Sequence, residues 1–133
     1  MANPNIVAVT AIYGNTAYVI PSNTSVSVAW THNGTTTLTG LTPAAGTVNK
    51  IDSIVVSNVT STAATATVAI SNNATYASGT PYYLAYQISV PPNASLIVTD
   101  KTTSFYVTEN QSVGVISGTG SALNYTASFE AIT

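Results

Sequence analysis

Alternation of apolar and polar residues with a period of two recurs along almost the whole chain, the signature of half-buried β-strands. Ile6 to Tyr13 reads as a first strand, with Val7, Val9, Ala11 and Tyr13 on one face and a break at Gly14-Asn15. Ala17 to Ile20 resumes it and Pro21 ends it. Ser25 to His32 places Val26, Val28 and Trp30 inward, and Asn33-Gly34 then turns the chain into Thr35 to Leu41. Asn-Gly between alternating runs is a strong hairpin signal, because a type I′ turn needs positive φ at both positions.

After a loop at Pro43 to Gly46, Val48 to Val59 is a long strand apolar on both faces, with Ile54 and Val56 on one and Ile51, Val55 and Val59 on the other. Such a strand belongs in the middle of a sheet or under cover on both sides. Ala64 to Ile70 follows, then a turn at Ser71 to Ala74. Pro81 to Val90 sets Tyr82, Leu84, Tyr86, Ile88 and Val90 on one apolar face and ends at Pro91-Pro92-Asn93. Ser95 to Val98, Thr103 to Thr108, Val113 to Ile116 and Leu123 to Ile132 complete the set. The last has Leu123, Tyr125, Ala127, Phe129 and Ala131 on one face. Gly118-Thr119-Gly120-Ser121 reads as a hairpin loop. About ten short strands at regular spacing predict a single all-β domain over residues 1–133, a β-sandwich of jelly-roll or immunoglobulin-like type. The 23 threonines and the scarcity of strong helix formers other than alanine agree.

Charge changes the picture most. Only Lys50, Asp52, Asp100, Lys101, Glu109 and Glu130 are charged, 5% of the residues, and the net charge is −2. Ordinary soluble domains carry about 25%. A surface of Thr, Ser, Asn and backbone gives a free monomer little to keep its neighbours away, and it suits a protein packed against copies or partners. With no basic patch, neither nucleic acid nor an anionic membrane is an expected partner. No apolar run reaches the roughly 18 residues of a spanning helix. Met1-Ala2-Asn3-Pro4-Asn5 has no charged region followed by an apolar stretch, so no secretory leader is expected. There is no cysteine, hence no disulfide and no thiolate metal site.

Candidate chemistry is thin. His32 is the single histidine and stands beside the Asn33-Gly34 turn, where a turn role outweighs that of a ligand or base. Glu109 with Glu130, or Asp52 with Asp100, could act as general acid and base only if the fold brought them together. Lys50 and Asp52, two apart on one strand, share a face and can pair. No nucleophile elbow occurs, and the glycines at 118 and 120 lack the lysine and helix of a phosphate loop. No catalytic residue, cofactor or metal is expected. Seven Asn-X-Ser/Thr triplets, at Asn23, Asn33, Asn58, Asn73, Asn93, Asn110 and Asn124, are what a chain of 12 Asn and 38 Ser/Thr produces by chance. Among the aromatics, Trp30, Tyr82, Tyr86 and Tyr125 fall on apolar faces and read as core, whereas Tyr76, Tyr83 and Tyr106 fall off them and are candidate interface residues. Two lysines are also too few to guard the edges of a sandwich of this size, which again points to assembly.

The stretch Val48-Asn49-Lys50-Ile51-Asp52-Ser53-Ile54-Val55-Val56-Ser57-Asn58-Val59 with Ala64 to Ile70 resembles a recurrent pattern in small structural proteins of tailed bacteriophages, notably cyanophages. So do Tyr86 to Lys101, Phe105 to Val113 and Tyr125 to Thr133, so that the resemblance covers roughly residues 45 to 133. Related chains carry more acidic residues near Glu109 and a basic residue after Val113, where this chain has Gly114. The resemblance implies a non-enzymatic virion protein, assembled in the host cytoplasm. Its partners would be other virion proteins, the major capsid protein first, with copies of itself in a homo-oligomer or lattice. The expected role is a capsid decoration or cement subunit, and the alternative is a neck, tail or fibre accessory protein that contacts host surface glycan.

Overall fold

The computed structural model describes Pro4 and residues 7–133. The start of the first expected strand, at Ile6, and four of the five leading residues lie outside them. Ten strands form two antiparallel sheets, as the alternation predicts. They are β1 (Ile12–Val19), β2 (Ala29–His32), β3 (Thr36–Thr39), β4 (Val48–Asn58), β5 (Ala64–Ser71), β6 (Pro81–Val90), β7 (Ser95–Thr99), β8 (Phe105–Val107), β9 (Ser112–Ser117) and β10 (Leu123–Ile132). The large sheet has the order β3-β2-β1-β10-β4-β7, and β8 shares the outer edge of β4 with β7. The small sheet has the order β6-β5-β9. One hydrophobic cluster lies between them, including Trp30, Leu41, Ile51, Ile54, Val56, Val68, Val115 and Tyr125, all removed from solvent.

Several local expectations are corrected by hydrogen bonding that alternation cannot reveal. β1 runs straight through Gly14-Asn15, because every residue from Ile12 to Val19 has a partner on β10. Before Ile12, the described residues from Val7 to Ala11 form no strand. The Ser25 to His32 run is divided between the sheets. Ser27 forms a bridge to Val115 of the small sheet, whereas Ala29–His32 belongs to the large one, and Val26 is exposed. The hairpin at Asn33-Gly34 is present, with φ of 50° and 82°, but the register His32↔Thr36 makes its connection three residues long. Gly118 to Ser121 links β9 of one sheet to β10 of the other, so it is a crossover and not a hairpin loop.

β4 is central, between β10 and the pair β7/β8. Its ladder slips between Ser128 and Phe129 of β10, which oppose Ser53 and Ile51 and leave Asp52 as the extra residue. One inserted residue reverses which face follows. Ile51 therefore joins Ile54 and Val56 in the core, while Val59 is exposed.

Asn58 closes β4. Its Nδ2 donates to the carbonyls of Thr62 (2.8 Å) and Val90 (2.9 Å), and its Oδ1 accepts from the backbone N–H (2.9 Å) and hydroxyl (2.7 Å) of Thr60. The crossover to β5 is thus held by one amide with its bonding capacity in use. Asn23 and Asn73 repeat the local part, accepting from the N–H two residues on, at Ser25 and Thr75. Three of the seven triplets are therefore Asx-turns.

Candidate functional site

β6 is an edge strand. It pairs with β5 on one side and with no strand on the other among the described residues. Across the small sheet, the edge of β9 is closed: Val113 N–H bonds to Gly40 O (2.7 Å), and Ser27 and Val115 exchange both bonds (2.8 and 3.0 Å). Pro81 at the head of β6 and Pro91-Pro92 after its end suit an unpaired edge, since proline offers no ladder donor.

The β5–β6 register slips twice. Val68 opposes Ala85 and Ala69 opposes Tyr83, which leaves Leu84 unpaired; Ala66 opposes Ile88, so Tyr86 and Gln87 together face Thr67. At the second bulge Gln87 has φ of 50°, and its N–H donates to the Thr67 hydroxyl at 3.0 Å. These slips overturn the expected apolar face. Of its five members only Val90 is buried. Tyr82 is 57% exposed, Leu84 42%, Tyr86 56% and Ile88 43%, with Tyr83 between them at 51%. Of the four aromatics expected in the core, Trp30 and Tyr125 are fully buried and Tyr82 and Tyr86 are not.

The structure brings together part of the expected interface set. Tyr83 stacks obliquely on Tyr86, ring centres 4.6 Å apart at 47°. Tyr76, on a short 3-10 turn (Tyr76–Ser78), is half-buried. Burial pushes its phenol up, and the neighbouring Tyr83 phenol adds to that shift. The Tyr76 ring lies over Gly114, where a Cβ would come within 2.7 Å of it, so no basic side chain fits at that position without displacing the tyrosine. Tyr106 is exposed but stands on β8 of the large sheet, opposite Lys50. Tyr82, Leu84, Tyr86 and Ile88 are the surface residues that alternation misassigned; the prolines bounding the strand were the available sign.

The titratable residues are dispersed. Lys50 Nζ lies 3.7 Å from Asp52, and residue Lys50 stands opposite Glu130 in the ladder. Asp100 caps the turn Lys101–Thr103, accepting from Thr102 N–H (2.9 Å) and hydroxyl (2.6 Å), and these bonds, the hydroxyl's first, hold its carboxyl below the usual range. Glu109 accepts from Gly46 N–H at 3.1 Å. His32 packs edge-on to Phe129, centroids 6.3 Å apart, with Nδ1 buried and without a hydrogen-bond partner. Among the described residues no three His, Asp or Glu side chains cluster as metal ligands, and no helix is long and apolar enough to cross a membrane.

No protein-family model, no curated protein and no solved structure matches the chain. Fold and surface define its class from first principles: an all-β two-sheet sandwich in which the edge formed by β6 is open, uncharged and tyrosine-rich.

Proposed function

We propose that the chain is a non-enzymatic structural subunit that works by packing against copies of itself and other proteins of a larger assembly. The observation that carries this reading is the exposed apolar surface. Fourteen large hydrophobic side chains are exposed among the described residues, against six charged residues in the whole chain. Exposed apolar side chains gathered on one strand, as Tyr82, Tyr83, Leu84, Tyr86 and Ile88 are on β6, mark interaction sites, and scarce charge leaves little to oppose association.

The specific form we propose is a virion subunit of a tailed phage, a capsid decoration or cement protein seated on the major capsid protein. It rests on the resemblance of residues 45 to 133. Many weak contacts repeated over a lattice would hold such a subunit firmly. A second form, a neck, tail or fibre protein touching host glycan, would use the exposed group Tyr82, Tyr83 and Tyr86. Cryo-EM of particles from the host that expresses the chain tests both. Density at capsomer centres or junctions supports decoration, and density confined to neck, tail or fibres supports the second form. Purified particles without the chain would end the virion reading. Joint substitution of His32, Glu109 and Glu130 by alanine should leave incorporation of the folded chain unchanged.

A further inference from the structure

We propose that β6 is a twofold interface between two copies of this chain, with the axis at Ala85; this deepens the assembly reading and rests on it. The strand presents exposed apolar side chains and an unpaired backbone edge together. Tyr82, Tyr83, Leu84, Tyr86 and Ile88 are each about half exposed. At about 150–250 Å² for an aromatic side chain, the five offer roughly 500 Å². A stable interface takes about 800 Å² from each partner. The tyrosine strand supplies more than half of that before its rim is counted.

The order of residues fits a second copy as occupant. An antiparallel twofold at Ala85 sets Leu84 against Tyr86 of the other copy, and Tyr82 against Ile88. Each is an aromatic–aliphatic pair, a favourable cross-strand combination. Tyr83 meets Gln87. The small Ala85 at the axis lets the backbones approach. Pro81 to Val90 contains no charged residue, so like patches meet without repulsion. A sugar is a poorer occupant. Leu84 and Ile88 offer nothing to hydroxyl groups, and the Tyr83 and Tyr86 rings lean on each other at 47° instead of forming one flat platform. Because a twofold uses the same edge of β6 on both copies, the contact closes as a dimer and leaves no free edge of this strand to propagate.

Sedimentation velocity on the full chain across the micromolar range tests the proposal. The expected result is a reversible monomer–dimer equilibrium, weakened more than tenfold in Leu84→Lys/Ile88→Lys while circular dichroism and the cooperative melt are kept. A wild type that stays monomeric, a dimer indifferent to the lysines, or open-ended oligomers would overturn it, as would a monomer that binds neutral oligosaccharide through these tyrosines. Cross-linking gives a readout that does not depend on the lysine variant folding. In this cysteine-free chain a short bismaleimide should join Leu84→Cys, whose two copies lie diagonally across the axis, into a covalent dimer, and should not join Tyr18→Cys, exposed on the large sheet. Equal or absent cross-linking in both would also overturn it. A monomeric chain found in purified particles would sink the dimer and leave the assembly reading standing; a dimer never found in them would do the reverse.

Discussion

The Tyr125 hydroxyl, carried on β10 of the large sheet, donates to the carbonyl of Ile116 on β9 of the small one at 2.7 Å. Trp30 repeats the device from β2, its Nε1 donating to Val113 O at 3.2 Å. Both side chains are fully buried, so each fills the core with its ring and fastens the opposite sheet with its polar end. Burial pushes the Tyr125 phenol far above the ordinary tyrosine range. A raised value means that its stabilisation is complete below about pH 10, where unfolded tyrosine begins to ionise, and declines above it. Denaturant titrations from neutral pH upward should show Tyr125→Phe less stable by about 1–2 kcal/mol at pH 7. The gap between the two proteins should narrow above about pH 10; a gap that stays constant would contradict this account.

Asn58→Asp should be among the most damaging single changes. The substitution keeps the shape but turns the two donors that serve Thr62 O and Val90 O into acceptors, and places a charge at a buried site. A loss of about 3 kcal/mol or more is expected at neutral pH. Part of it should return as pH falls and the carboxyl is protonated. Asn58→Ala should be damaging too, but with no such pH dependence. Equilibrium urea unfolding of both variants at neutral and acidic pH distinguishes the two patterns.

Gln87→Gly should stabilise the protein. A residue with a β-carbon pays at φ near 50°, and glycine does not. A gain of up to about 1 kcal/mol is expected. Thr67→Val removes the acceptor for the Gln87 N–H and should cost about 1 kcal/mol. Melting temperatures of the two variants should move in opposite directions.

Gly114→Ala should push the Tyr76 ring outward, since the new methyl would lie 2.7 Å from the ring and 2.8 Å from Val26. Overpacking of this kind costs about 1–3 kcal/mol. The Tyr76 phenol, raised by burial, should move back toward the ordinary tyrosine value as the ring gains solvent. Because the clash needs both partners, the cost should shrink in a Tyr76→Ala background, a coupling that a double-mutant cycle measures.

Much of the fold was legible in the chain. The alternation from Leu123 to Ile132 marks β10 at both ends, Asn33-Gly34 marks the β2–β3 hairpin, and Trp30 and Tyr125 fall in the core as their patterns require. Alternation assumes a constant phase, however, and bulges break it: Asp52 moves Ile51 to the face of Ile54, and the slips at Leu84 and Gln87 undo the apolar face of β6. It also records which residues share a face and not what lies opposite, so an apolar face packed on the core and one left open on an edge strand look alike. That is why Tyr82 and Tyr86 read as core and are exposed. The Lys50–Asp52 pair was legible from spacing alone. The approach of Tyr76 to Tyr83 was not, because it depends on how the 3-10 turn folds back over Gly114.

β10 lies between β1 and β4, and its register joins Ile12 to Ile132. The middle of the large sheet is therefore filled by the strand that a ribosome completes after the other nine. Until it emerges, β1 and β4 expose the edges and apolar faces that it will cover, and the loop closed by its docking spans most of the chain. Such long-range closure is slow and leaves the intermediate open to aggregation. Nascent chains should accordingly remain protease-sensitive until β10 has cleared the exit tunnel, and the yield of folded protein should depend more on synthesis temperature and chaperone supply than on the stability of the finished sandwich.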